Sequence, residues 1–183
     1  MDGRSRFDLI GLLAPLRRYA AVLTRDDTEA EDLVHDALVR AYERRHAFDA
    51  SGNLRGWLFS ILHNSFIDAR RRKAAEAARA LDVGGALETV APPVQEASVR
   101  LQQILRAFLE LPEEQRAPLH LVAIEGLSYH EAAAALGIPL GTLMSRLGRA
   151  RAALRSFEDG SLAAGPPESA TRPRLRIVGG ADG

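Results

Sequence analysis

The sequence predicts an all-α protein of two small helical domains joined by a flexible linker. Three observations carry that expectation. Aromatic residues make up only 5% of the chain, while Ala, Leu and Arg abound without a matching supply of β-branched residues, a bias toward helix over sheet. Apolar residues recur at helical spacing in two separate stretches. Between those stretches lies a segment carrying Gly84-Gly85 and Pro92-Pro93, pairs that break regular structure. With 183 residues and 46% hydrophobic content, the chain can build one medium core or two small ones.

The first helical unit spans residues 1–72, with Leu9, Leu12, Leu13 and Leu16 and then Leu33, Ala37, Leu38 and Ala41 at helical spacing. In AEDLVHDALVRAYERR the polar face carries Glu31, Asp32, His35, Asp36 and Glu43, with acidic residues toward the start, where they suit the helix dipole. FDASGNLRGWLFSILHNSFIDARRR begins as a loop and becomes a helix in which Trp57, Leu58, Ile61, Leu62 and Phe66 can pack. Trp57 is expected in the core. The closing Arg70, Arg71 and Arg72 sit well at a helix C-terminus for electrostatic reasons alone.

Residues 73–97 read as the linker. Fully extended, its roughly 25 residues reach at most ~80 Å, against ~34 Å for one turn of DNA, so the two units can touch sites more than a helical turn apart. The second unit, residues 98–157, holds the clearest motif, GLSYHEAAAALGIPLGTLMSRLGRARAALR. Ser128 and Glu131 form a capping box that starts a helix at Tyr129. Gly137 can take the left-handed conformation that ends it after Leu136, and Ile138-Pro139 leads into a new helix from Leu140 to Arg155. There Leu143, Leu147, Ala150 and Leu154 make an apolar stripe, and Thr142, Ser145, Arg146 and Arg149 lie on the other face. Two helices joined by so short a turn form a helix-turn-helix, and the small Ala132, Ala133 and Ala135 let them cross closely. The tail, residues 158–183, is rich in Gly, Pro, Ser and charge and is expected to be disordered.

Charge narrows the function. The formal net charge is zero, from 24 basic and 24 acidic residues, which argues against coating nucleic acid through bulk charge. Its distribution points to a local site instead. Between Thr142 and Phe157 the charged residues are Arg146, Arg149, Arg151 and Arg155, a local charge of +4, and arginine with short hydroxyl side chains suits phosphates and base edges. Thr142, Ser145, Arg146, Arg149 and Arg151 are therefore candidate DNA contacts. The rival structural reading is an ordinary helical hairpin with a solvated arginine face.

Other classes fare worse. His130-Glu131 begins like a zinc-protease helix, but Ala134 stands where the second histidine is required, and His35, His46, His63 and His120 form no ligand spacing. A glycine-rich phosphate loop and a serine elbow are lacking too, so no catalytic residue, metal or cofactor is expected. Cysteine is absent, which fits a reducing cytoplasm, and no uncharged run approaches the ~20 residues of a membrane span.

AEDLVHDALVRAYE, NLRGWLFSILHNSFIDARRR, LPEEQRAPLHLVAIEGLSYHEAAAALGIP and GTLMSRLGRARAAL together resemble, in order and spacing, regions two and four of extracytoplasmic-function (ECF) RNA polymerase sigma factors. The likeness implies a soluble transcription initiator in place of an enzyme, with core RNA polymerase, promoter DNA and an anti-sigma factor as partners. It implies that the helix from Asp32 to Arg45 docks on polymerase, with Asp32, Asp36 and Arg40 as contacts. It further implies that Asn53, Asn64 and Arg70 belong to the part that opens the minus-ten element, a single-strand recognition task, and that the helix from Leu140 to Arg155 reads the minus-thirty-five element. Met144 and Gly148 depart from the family pattern, where a lysine and a larger residue are common. Competing readings are a sigma mimic that sequesters an anti-sigma factor, and a stand-alone helix-turn-helix regulator.

Overall fold

The computed structural model describes residues 9–49, 52–79 and 99–163; the tail from residue 164 onward and most of the expected linker lie outside them. Every regular element among the described residues is helical: α1 (Leu13–Thr24), α2 (Asp27–Glu43), α3 (Leu54–Arg79), α4 (Val99–Glu110), α5 (Glu113–Leu119), α6 (Tyr129–Leu136) and α7 (Leu140–Ala163). The all-α architecture matches the expectation.

In the first unit α1, α2 and α3 pack on one another. Pro15 is tolerated because it falls in the first turn of α1, where its missing N–H has no intrahelical role. That helix stops at Arg25, whose backbone is left-handed with φ 59°, an uncommon state for a residue with a Cβ. Asp26 then caps α2, accepting from the Glu29 N–H at 2.8 Å. Asn53 caps α3 in the same way, its Oδ1 accepting from the backbone N–H of Arg55 at 3.0 Å and of Gly56 at 3.2 Å. Leu16, Tyr19, Leu33, Ala37, Leu58, Phe59 and Leu62 form the centre of this unit.

α3 runs to Arg79, seven residues beyond the expected boundary at residue 72. The cause lies in KAAEAAR, seven good helix formers with nothing to stop them. α7 likewise continues to Ala163, six residues beyond Phe157.

The second unit begins with α4. Pro118 sits inside α5, where it removes an amide donor and crowds the preceding turn. The next segment, His120–Ile124, is π-helical, with the Glu125 N–H bonded to the His120 carbonyl at 3.0 Å and Leu127 to Leu121 at 3.0 Å. Such a widened turn is a common marker of functional positions, and here it carries the Glu125 side chain inward. The helix-turn-helix forms as the sequence predicts: both arms of the Ser128–Glu131 capping box are present, and Gly137 ends α6 with φ 62°. Ala132, Ala133 and Ala135 are buried, and α6 packs against both α7 and α3.

The two units are not separated. α3 packs against α6 and α1 against α5, so the buried apolar residues of both halves form one continuous cluster.

Candidate nucleic-acid and polymerase interface

α7 presents Thr142, Ser145, Arg146 and Arg149 at positions i, i+3, i+4 and i+7, one stripe of the helix. The opposite side is held by Leu143, Leu147 and Ala150, none more than 1% exposed. Ser145 and Arg149 are exposed, whereas Thr142 and Arg146 are half-buried. Ser145 Oγ donates to the Thr142 carbonyl at 2.9 Å, and Arg146 lies 3.6 Å from the Glu114 carboxylate. Arg151 does not join them: it lies about 180° around the helix from Thr142 at 3.6 residues per turn, and it donates to the Tyr129 hydroxyl at 3.2 Å. Met144 is 53% exposed and, like Arg151, lies far around the helix from Thr142.

In the first unit Asp32, Asp36 and Arg40 fall at four-residue intervals on one face of α2. Both aspartates are exposed; Arg40 is half-buried and paired with Asp68 at 3.0 Å. On α3, Asn53 and Asn64 share a face, while Arg70 lies about 120° away from them at the helical repeat. Arg70 lines an open groove between α2 and α3 together with Asp32, Asp36 and Ser65. Trp57 is half-buried and packs on the core, with its ring 5.2 Å from that of Phe48. The structure thus gathers the α7 stripe and the α2 acidic face, and spreads the α3 candidates along their helix.

A cluster that the sequence reading assigned no role lies where the units meet. The Glu125 side chain is 0% exposed, and both its oxygens are fully engaged. Arg18 donates from Nε and Nη2 to the two oxygens at 3.1 Å each, Arg55 Nη2 reaches Oε2 at 2.7 Å, and His120 Nε2 lies 3.2 Å from Oε1. Burial lowers the His120 imidazole to about 4 against a smaller opposing pull from Glu125. The ring is therefore neutral near pH 7, and facing a carboxylate it must carry its proton on Nε2.

Tyr19, fully buried, stacks on His120 at 5.5 Å and on His63 at 6.3 Å, and its hydroxyl lies 3.1 Å from His63 Nδ1. Burial, with the Glu113 charge second, raises the Tyr19 phenol well above its usual value, and burial with Arg146 second lowers His63 to about 4. A second junction is built on Arg116. Its Nε donates to the Val22 carbonyl at 2.9 Å, and its Nη1 donates to the carbonyls of Leu109 at 3.1 Å and Leu111 at 2.8 Å. Burial, then the nearby Arg25, lowers Arg116 to about 10, so it stays charged near neutral pH. The one hint of this interface in the sequence was a lone carboxylate inside an apolar run, LHLVAIEGL.

The comparisons with known proteins agree with this geometry. Residues 11–76 match the family described as Sigma-70 region 2, and residues 101–154 match Sigma-70, region 4. Among curated relatives, the ECF RNA polymerase sigma factor EcfG of Rhodopseudomonas palustris (strain TIE-1) is 34% identical over 97% of this chain and 96% of its own. SigM, an ECF RNA polymerase sigma factor of Bacillus subtilis (strain 168), is 32% identical over 76% of this chain and 86% of its own. Among solved structures, the sigma factor RpoE in complex with the anti-sigma factor NepR from Bartonella quintana superposes with a TM-score of 0.70 at 33% identity, covering 82% of this chain and 94% of that one. CnrH in complex with the cytosolic domain of CnrY follows, with a TM-score of 0.59 at 28% identity over 83% and 85% of the two chains.

Proposed function

The chain belongs to the ECF RNA polymerase sigma factor family, and from that membership we propose that its first domain joins core polymerase and opens the promoter while its second anchors duplex DNA upstream. The observation that carries the division of labour is the α7 stripe: a rigid helix, packed through Leu143, Leu147 and Ala150, turns short hydroxyls and arginines outward. Thr142, Ser145, Arg146 and Arg149 form the duplex contact, and Arg151 faces away from it, toward Tyr129. Asp32, Asp36 and Arg40 form the polymerase contact, with Arg40 oriented by Asp68. Asn53, Asn64 and Arg70 serve the melted strand, Asn53 also capping its own helix.

Polymerase performs the chemistry, and this chain supplies position and specificity from the cytoplasm. Among the described residues no helix is long and apolar enough to cross a membrane. An anti-sigma factor is the expected regulator, supported by the similar structure of the sigma factor RpoE in complex with the anti-sigma factor NepR. The family match to both regions leaves the sigma-mimic and stand-alone regulator readings without a favouring observation.

Run-off transcription with purified core polymerase and a library of upstream fragments tests the proposal. Transcripts starting at discrete sites only when both proteins are present support it; binding to duplex DNA alone, with no transcript from any fragment, contradicts it. Replacing Arg149 by alanine is expected to weaken promoter binding by about 1–3 kcal/mol and relax one promoter position. Unchanged promoter selection removes Arg149 from the contact set.

A further inference from the structure

The open groove between α2 and α3 combines carboxylates with an apolar surface. Asp32, Leu33 and Asp36 line it from α2, Phe66 and Ala69 from α3. The cations that line it are already paired, Lys73 with Glu29 at 2.6 Å and Arg70 with Glu113. Asp32 and Asp36 are exposed and, among the described residues, have no such partner. Like charges one turn apart on a helix repel, so a cation brought to this wall is attracted by both.

Ser65 is a second and independent sign of an occupant. It lines the same groove, is only 2% exposed, and its Oγ has no hydrogen-bond partner among the described residues. A buried hydroxyl without a partner costs free energy, and an extended peptide brings backbone donors and acceptors that can meet it. With a cavity volume of about 180 Å³, the groove falls below the ~300–1,000 Å³ of small-molecule sites.

The segments outside the described residues differ in how they suit this chemistry. Residues 80–98 carry Asp82, Glu88 and Glu96 without a basic residue, and residues 1–8 set Arg4 and Arg6 against Asp2 and Asp8. Residues 172–177, RPRLRI, instead place an arginine at every second position, with Pro173, Leu175 and Ile177 following them in turn. In an extended chain that alternation puts the arginines on one side and the apolar residues on the other. Successive arginines then lie about 6.6 Å apart, close to the roughly 6 Å that four residues span along a helix such as α2. Arg172 follows Ala163 by nine residues, a reach of up to about 30 Å. The groove also borders the second unit, because Arg70 pairs with Glu113 of α5 and α5 packs on α7.

We propose that residues 172–177 dock as an extended strand in the groove between α2 and α3. Two of the arginines pair with Asp32 and Asp36, the apolar side lies on Phe66 and Ala69, and a backbone group meets Ser65 Oγ. Because Asp32 and Asp36 are also the polymerase contacts proposed above, the tail competes with polymerase for them; this consequence alone rests on that reading.

The absence of cysteine allows labels at two chosen positions. Thr171→Cys and Ala77→Cys, the latter at an exposed site on α3, are introduced in the full chain and spin-labelled, and pulsed dipolar spectroscopy reads the distance from tail to α3. A narrow short-distance component is expected. It is expected to vanish in Asp32→Asn with Asp36→Asn, and in the triple variant Arg172→Gln, Arg174→Gln and Arg176→Gln. Exchanging the charges, with both aspartates changed to arginine and all three arginines to aspartate, is expected to restore it, which a merely disturbed fold would not do. A distribution that none of these variants changes overturns the docking. A short component lost on dilution with excess unlabelled chain overturns it too, by assigning the groove to the tail of a second copy. A fluorescent peptide of residues 171–178 is expected to bind the triple variant at least tenfold tighter than the wild type, whose own tail fills the groove, and equal binding contradicts that occupancy. Core polymerase is expected to bind the triple variant at least threefold tighter than the wild type, and equal or weaker binding overturns the competition. The distances and the peptide binding are read without polymerase, so they stand whether or not run-off transcription succeeds.

Discussion

Two ion-pair regions of this molecule use the same chemistry to opposite ends. On the outside, Arg17 and Glu31 pair at 3.0 Å with side chains 56% and 59% exposed. On the inside, Glu125 is 0% exposed and meets Arg55 at 2.7 Å and Arg18 at 3.1 Å. Exposed pairs gain little, because water screens them and two long side chains lose freedom. A buried carboxylate has no such indifference: its partners offset a large desolvation cost, and removing one side leaves the other stranded. Burial, and not the number of charges, decides which arginines this fold depends on.

Glu125→Ala is the severest way to break that contrast. It is expected to lower unfolding free energy by about 3 kcal/mol, the low end for a broken buried pair because Arg18 and Arg55 keep partial access to water. A urea titration showing less than about 1 kcal/mol would place Glu125 with the surface pairs. Acid attacks the same region through His63 and His120, each lowered to about 4 by burial. An unfolded imidazole protonates near 6.5, so between about pH 6.5 and 4 the unfolded chain binds more protons and stability rises with pH. Moving from pH 7 to 5 is therefore expected to cost about 2 kcal/mol of stability for each ring, about 4 kcal/mol for the two. A flat profile over that window, in melts at constant ionic strength, would show that neither ring is held neutral.

Smaller effects test the periphery. Ser128→Ala removes one arm of the capping box and is expected to cost about 1 kcal/mol, read as a lower midpoint in urea with an unchanged slope. Asp36→Ala, on the exposed face of α2, is expected to change stability by less than about 0.5 kcal/mol while weakening binding to core polymerase. A stability loss as large as that of Ser128→Ala would make Asp36 a structural residue.

The contrast also marks what the sequence could disclose. The helix-turn-helix was legible because its signals are local: Ser128 and Glu131 are three residues apart, and Gly137 declares the turn by itself. The α7 stripe followed from periodicity. Helices α3 and α7 run past the unit boundaries expected at residues 72 and 157, and KAAEAAR holds no helix breaker to stop the first. The Glu125 junction was not legible, because Arg18 and Arg55 lie 107 and 70 residues from it. The π-helical turn after Pro118 that aims it inward alters the ladder in a way that no spacing rule anticipates. Likewise, the four histidines that formed no pattern along the chain include two, His63 and His120, that meet around Tyr19.

A double-mutant cycle on Arg55 and Glu125, set beside one on Arg17 and Glu31, tests most directly the claim that the two domains are joined by a buried charge and not by surface pairing. The expected coupling is above about 1.5 kcal/mol for the inner pair and below about 0.5 kcal/mol for the outer one. Equal couplings for the two pairs would contradict it.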